Sequence, residues 1–139
     1  MLASPVNPLC RLLATKKVVV LDGAMGTELE RRGHDIRDKL WSGRVLRDDP
    51  FEIQRVHEAY LSAGADVILT ASYQINDDPY LLKRAVSVAK AASQSCGRLI
   101  AIGGSLGPYG ACLADGSEYT GAYEVTLRDL VAFYKARII

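Results

Sequence analysis

Val18-Val19-Val20-Leu21-Asp22-Gly23-Ala24-Met25-Gly26-Thr27-Glu28-Leu29 is the stretch that decides how the chain is read. It opens with four apolar residues, three of them β-branched, which predicts a strand buried on both faces. The run stops at an acid and a glycine, and a helical pattern begins. An aspartate at the carboxyl end of a buried strand, followed by a residue without a Cβ, occupies the place where α/β enzymes set ligand-binding groups. Asp22 as a simple N-cap for the helix starting near Ala24 explains the same local pattern. The choice therefore turns on the rest of the chain.

Downstream, strand and helix patterns alternate. Ala24 to Arg32 predicts a short helix closed by Gly33. Residues 34–49 read as polar and irregular, holding Leu40-Trp41-Ser42 and Val45-Leu46. Asp49-Pro50-Phe51-Glu52 is a strong helix start, with Asp as N-cap, Pro at the first helical position and Glu in a capping-box position. Ile53, Val56, Tyr60 and Ala63 follow at helical spacing until Gly64. Val67-Ile68-Leu69, flanked by Thr70 and Ala71, predicts a second buried strand. Asp77-Asp78-Pro79 starts another helix, carried by Leu81, Leu82, Ala85, Val86, Val88 and Ala89 toward Gly97.

Leu99 to Ile102 predicts a third strand. It runs into Gly103-Gly104-Ser105-Leu106-Gly107-Pro108-Tyr109-Gly110, too rich in glycine for regular structure. A polar connection over Asp115 to Tyr119 follows. Thr126 then caps a last helix with Leu127, Leu130, Val131 and Tyr134 along one side. This order predicts parallel βαβ units with right-handed crossovers. Asp22-Gly23, Thr70 to Gln74 and Gly103 to Gly110 each follow a strand, so a parallel sheet delivers all of them to one edge. Turn-making alone does not explain that convergence, and a ligand site does.

Bulk composition excludes several classes. The 139 residues are 49% hydrophobic and 24% charged with a net charge of +1, and opposite charges are interspersed, which points away from nucleic acid. No apolar run approaches a membrane span. Cys10, Cys96 and Cys112 form an odd, widely spaced set that fits neither a disulfide framework nor a metal knuckle, and suits a reducing, cytoplasmic setting. Residues 1–16 read as a leading helix or tail. The last helix runs to Ile138-Ile139 without a glycine, a cap or a polar tail, and a three-strand parallel sheet has two open edges. The expectation is a chain that stops partway through a fold.

Together these segments resemble the homocysteine S-methyltransferase family. The resemblance is carried by Leu21 to Leu29, by Leu40-Trp41-Ser42, and by Ala63-Gly64-Ala65-Asp66-Val67-Ile68 running into Thr70-Ala71-Ser72-Tyr73-Gln74. Gly104 to Gly110 and Leu113-Ala114-Asp115-Gly116-Ser117-Glu118-Tyr119 complete it. The Leu-Trp-Ser and Thr-Ala-Ser-Tyr-Gln variants are most similar to the branch using S-methylmethionine or S-adenosylmethionine. The resemblance implies an α/β fold of the TIM (β/α)8 barrel type, typically about 250 residues. Residues 1–139 would be the N-terminal part of the homocysteine-binding domain, supplying roughly the first three βα units. Between Gln74 and Leu81 the family carries a longer loop and helix than this chain has.

The implied reaction moves a methyl group from a sulfonium donor to homocysteine, giving methionine. A free thiol titrates near pH ~8.5, and the family activates it with zinc held by cysteine thiolates. Those ligands belong to a Gly-x-Asn-Cys segment and a Cys-Cys pair, neither of which occurs in this sequence. By resemblance, Asp22 and Gly23 border homocysteine, the carboxylate acting on its ammonium. Trp41 and Ser42 wall the pocket, Tyr73 and Gln74 sit near the donor methyl or the substrate carboxylate, and Ser105 and Gly107 offer a hydroxyl and a close backbone approach.

Structural alternatives stand beside these roles. Trp41 packs a rim, Gln74 satisfies backbone groups, Gly26 and Gly110 serve chain geometry, His57 packs within an amphipathic helix, and His34 lies in an exposed loop. Cys96 ends a helix, and Cys112 lies in the loop after the third strand. A rival reading from another class is a non-catalytic half-barrel that self-associates or binds another fragment through its open edges. A phosphate-binding loop at Gly103 to Gly110 is weaker, because no Lys-Ser/Thr pair follows the glycines.

Overall fold

The sheet is built from three short parallel segments in a computed structural model that describes residues 7–37, 40–76 and 78–138. Strand β1 (Val67–Leu69) pairs with β2 (Ala101–Gly103) in parallel, Val67 opposite Ala101 and Leu69 opposite Gly103. The opening segment flanks β1 on its other side. Leu21 forms a parallel bridge with Val67. The N–H groups of Asp66 and Val67 donate to the Val20 carbonyl at 2.7 and 3.1 Å, and the Asp22 N–H donates to the Val67 carbonyl at 2.9 Å. β1 is thus the central strand.

That arrangement corrects the expectation of an opening strand buried on both faces. Val18, Val20 and Leu21 are 72%, 48% and 55% exposed, and only Leu21 makes a ladder pairing. The β-branched run has the propensity for a strand, but burial is set by what packs on it. Here the segment is an edge, and the described residues leave its apolar side chains open. Ile68 of the central strand is fully buried.

Around the sheet run α1 (Pro8–Thr15), α2 (Met25–Arg31), α3 (Ser42–Asp48), α4 (Pro50–Ser62), α5 (Pro79–Gln94), α6 (Tyr109–Leu113), α7 (Ser117–Thr120) and α8 (Leu127–Arg137). The N-cap signals in the sequence act as read, except that the Glu52 carboxylate pairs with Arg32 and Arg55 instead of closing a capping box. The Asp49 carboxylate accepts the Glu52 N–H at 3.3 Å with Pro50 in the first turn. Asp78 accepts the Tyr80 and Leu81 N–H groups at 3.0 Å, and Thr126 and Asp129 form a reciprocal capping box. Asp77, read as part of the α5 start, lies outside the described residues.

The core forms where α4 meets α5. Ile53, Val56, Leu81, Leu82 and Ala85 join Leu29 of α2 and Leu46 of α3. Leu61, Ala89 and Ala92 extend the packing onto Ile68 and Ile102 of the strands and onto Ile100 just before β2. Each large side chain buried this way stabilises the fold by about 1.5–3 kcal/mol.

Four further expectations change. The region read as irregular over 34–49 contains α3, because Val45 and Leu46 are buried against the core; two adjacent apolar residues are too few to reveal a helical period. The glycine-rich segment and the polar connection after it hold the short helices α6 and α7, placing Cys112 within a helix. On α8, Leu127 and Val131 are 78% and 44% exposed, while Arg137 is 4% exposed. His34 is half-buried, its Nε2 4.0 Å from Glu52 Oε1.

The amino end of β1 is closed by charge. Asp66 is buried and accepts from Lys16 Nζ at 2.5 Å, Arg98 Nη1 at 2.9 Å and the Val20 N–H at 3.1 Å. Arg98 also donates to the Leu61 and Ala65 carbonyls. Among the described residues, no helix is long and apolar enough to cross a membrane.

Candidate functional site

At the carboxyl end of the same strand, Asp22 is placed by the bridge at Leu21 so that its Oδ2 accepts the Leu69 N–H at 2.9 Å. This excludes the helix-capping role, since α2 begins at Met25 with Ala24 as its N-cap and no side-chain cap. The other carboxylate oxygen, Oδ1, is buried and has no hydrogen-bond partner. Burial raises the Asp22 pKa above the ordinary carboxylate value, against the lowering effect of the Leu69 N–H. Gly23 lies against the Tyr60 ring, which a Cβ would approach to 3.0 Å, and Tyr60 Oη donates to the Ala24 carbonyl.

The loops after β1 and β2 are stapled together by small hydroxyls. Thr70 Oγ1 and Ser72 Oγ lie 2.7 Å apart, the Ser72 hydroxyl donates to the Ser105 carbonyl at 2.8 Å, and the Ser105 N–H donates to Thr70 Oγ1 at 3.0 Å. Gln74, one turn beyond Thr70, is buried with its Oε1 unpartnered. Tyr73 is 41% exposed, and burial of its hydroxyl region raises its pKa.

Trp41 completes the wall from the α2–α3 connection. Its φ of 47° is a conformation that favours glycine. A strained bulky residue of this kind persists only where its surroundings hold it.

These groups share one cleft of about 480 Å³. Of the residues singled out from sequence, Asp22, Gly23, Trp41, Ser42, Tyr73, Gln74 and Ser105 line it. Gly107 does not. It is buried behind Tyr73, where a Cβ would overlap the Tyr73 carbonyl oxygen, so its close approach is to the neighbouring loop. The sequence reading missed Glu30 and Arg37, which also line the cleft, and the stapling role of Thr70 and Ser72. A signal for the last pair was present: residues two apart in extended chain share a face.

His57 is fully buried with both ring nitrogens unpartnered, and burial lowers its pKa to about 4. It lies in the core on α4, away from the cleft lining.

The zinc that the resemblance implies does not fit the donors among the described residues. Among the described residues no three His, Cys, Asp or Glu side chains come together as a metal site. The cysteines are unpaired, with Cys10 on α1 exposed, Cys96 just beyond α5, and Cys112 on α6 raised in pKa by burial.

Fold and cleft together define an α/β protein with a cleft at the carboxyl ends of its parallel strands. The sequence pattern of the homocysteine S-methyltransferase family matches residues 19–139, and the chain belongs to that family. It is 39% identical over 154 aligned positions to homocysteine S-methyltransferase YbgG of Bacillus subtilis, a match covering 96% of this chain and 49% of the relative. Selenocysteine Se-methyltransferase of Brassica oleracea is 38% identical, over 91% of this chain and 45% of that protein. The crystal structure of the homocysteine methyltransferase MmuM from Escherichia coli, in its metallated form, superposes with a TM-score of 0.85 at 39% identity. That superposition covers 95% of this chain and 52% of MmuM. The chain therefore spans about half the length of the relatives it matches. The aligned length of 154 exceeds the 139 residues present, so the Bacillus protein carries residues within the matched region that have no counterpart here.

Proposed function

We propose that this chain supplies the amino-acid-binding side of a homocysteine S-methyltransferase. In this reading, residues 1–139 are the N-terminal part of a homocysteine domain, the first three βα units or so of a (β/α)8 barrel. The reaction it serves is methyl transfer from a sulfonium donor, S-methylmethionine or S-adenosylmethionine, to homocysteine, giving methionine in the cytoplasm.

One observation carries the reading. Asp22 Oδ1 and Gln74 Oε1 are buried acceptors without a donor, and both residues line the same cleft. Leaving such atoms unpaired costs about 1–3 kcal/mol each. The ammonium of an α-amino acid brings three N–H donors and a positive charge, satisfying both oxygens and offsetting the desolvation of Asp22. Trp41 and Tyr73 bound the space for the side chain, and Ser105 adds a hydroxyl. The selenocysteine relative fits the same logic, because selenocysteine and homocysteine share the α-amino acid end. These residues bind and orient; the donor set fits no zinc, so no thiol-activating step is assigned to them.

Trp41 is the only tryptophan in the chain, so its fluorescence reports occupancy of the cleft. Titration with homocysteine is expected to saturate. 4-Mercaptobutyrate, which lacks the ammonium, is expected to bind at least tenfold more weakly. Equal affinities would sink the ammonium reading.

The exposed Val18, Val20 and Leu21 favour a second reading, a half-barrel that self-associates through this edge. Size-exclusion chromatography separates the two: a monomer that does not associate with rising concentration counts against it.

A further inference from the structure

Outside the cleft, the most heavily engaged cation on the loops that build it is Arg137. It sits in the last turn of α8 and is 4% exposed. Its Nη1 donates to the Gly107 carbonyl at 2.9 Å, and its Nη2 donates to the Tyr73 and Ser72 carbonyls at 2.9 and 3.1 Å. The guanidinium also lies 4.8 Å from the centre of the Phe133 ring. These hydrogen bonds go to carbonyl oxygens, so the buried charge is held by backbone dipoles and a ring face. Planar, forked donors suit that task and a single ammonium does not.

The carbonyls belong to both loops whose side chains line the cleft. Tyr73 precedes Gln74 directly, and fixing its carbonyl fixes the plane of the 73–74 peptide. The Ser72 carbonyl also accepts the Ile75 N–H at 3.2 Å, and the Ser72 hydroxyl donates to the Ser105 carbonyl on the other side. Gly107 lacks the Cβ that would displace the Tyr73 carbonyl from this junction. Phe133, one turn before Arg137, stacks edge-on against Tyr109 at 5.2 Å, which anchors α8 to the segment after β2. Leu127 and Val131 meanwhile stay exposed, so the helix docks through its aromatic and cationic residues.

We propose that Arg137 is a positioning residue for the cleft: from outside it, the guanidinium clamps the Ser72-Tyr73 and Gly107 carbonyls and so sets the Gln74 and Ser105 walls in register. The proposal rests on the amino-acid-binding reading for its ligand but not for its geometry. The two are tested apart in the full chain.

Arg98 provides the control, since it clamps the Leu61 and Ala65 carbonyls at the opposite end of the sheet. In Arg137→Met, amide hydrogen exchange over residues 72–76 and 103–107 is expected to rise at least tenfold, with the α4 and α5 amides still protected. Homocysteine affinity, read by Trp41 fluorescence, is expected to fall at least tenfold. Arg137→Lys is expected to recover only part of either effect. Arg98→Met is expected to lower the melting temperature with homocysteine affinity unchanged.

Unchanged exchange in those loops in a cooperatively melting Arg137→Met protein overturns the clamp. So does unchanged homocysteine affinity alongside loosened loops. If Arg137→Met does not melt cooperatively, the same two readouts on Arg137→Lys decide, and wild-type values there overturn the proposal. Failure of the wild-type chain to bind homocysteine overturns the ligand reading, and the exchange data then decide the clamp.

Discussion

Two aspartates, one near each end of the central strand, behave in opposite ways. Asp66 at the amino end is saturated: Lys16, the Val20 N–H and Arg98 hold its carboxylate below the ordinary range. Asp22, at the carboxyl end, receives one backbone N–H and has an orphaned oxygen, and burial pushes its pKa up. Electrostatics is spent on cohesion at one end and left unsatisfied at the other, beside a cleft. A parallel α/β sheet separates stability and function in this way because its strand carboxyl ends face the loops that vary. Conformational strain follows the same division, since the non-glycine residues with positive φ among those described are Trp41 in the cleft wall and Ala114 after β2.

The sharpest way to break the comparison is to remove Asp66. Asp66→Ala strands Arg98 and Lys16, and a broken buried pair costs about 3–5 kcal/mol. The cations keep 34% and 44% exposure, so a loss near the lower figure is expected in urea unfolding, with homocysteine affinity unchanged.

His57 tests the acid side. Its folded pKa of about 4 lies below the ordinary imidazole value of 6.5, so the unfolded chain takes up the proton first. Stability is complete above pH 6.5 and falls as pH drops toward 4, by about 3 kcal/mol at most. His57→Leu should flatten that acid limb in melts measured across this range.

Asp22 has the opposite sign. Its raised pKa means the ionised form is penalised in the fold, and acid relieves that penalty. Asp22→Asn keeps an acceptor for the Leu69 N–H, so stability should move by less than about 1 kcal/mol. Homocysteine binding should weaken by about 2 kcal/mol, roughly 30-fold. For the wild type, binding should also weaken as pH falls through the Asp22 pKa. A stability loss as large as that of Asp66→Ala would erase the distinction between the two ends.

The smallest expected effect concerns strain. Ala114 has φ 54° and ψ 34°. Ala114→Gly should therefore gain about 0.5 kcal/mol, relief of strain outweighing the added freedom of the unfolded chain. Thermal melts at matched pH check it.

Much of this was legible in the sequence where the cause is local. Asp49-Pro50-x-Glu52, Asp78-Pro79 and Thr126-x-x-Asp129 mark helix starts because a cap needs only residues three apart. Asp22, Gln74 and Ser105 fall on one cleft because the alternation of strand and helix already puts strand-ending loops on one edge. Helix α3, the half-buried His34 and the close approach of Gly107 to Tyr73 were not legible, since each depends on a neighbour distant in sequence.

By itself, the sequence determined the parallel order of elements, the helix starts and the set of loops that meet. These follow from periodicity and short-range hydrogen bonding, which travel with the chain wherever it folds. Tertiary structure alone decided that the β-branched opening run is an exposed edge, that Asp66 is neutralised and Asp22 is not, and that a late arginine grips the loops of the cleft. Burial and charge pairing are properties of what comes to lie alongside a residue, and only the packed chain sets that.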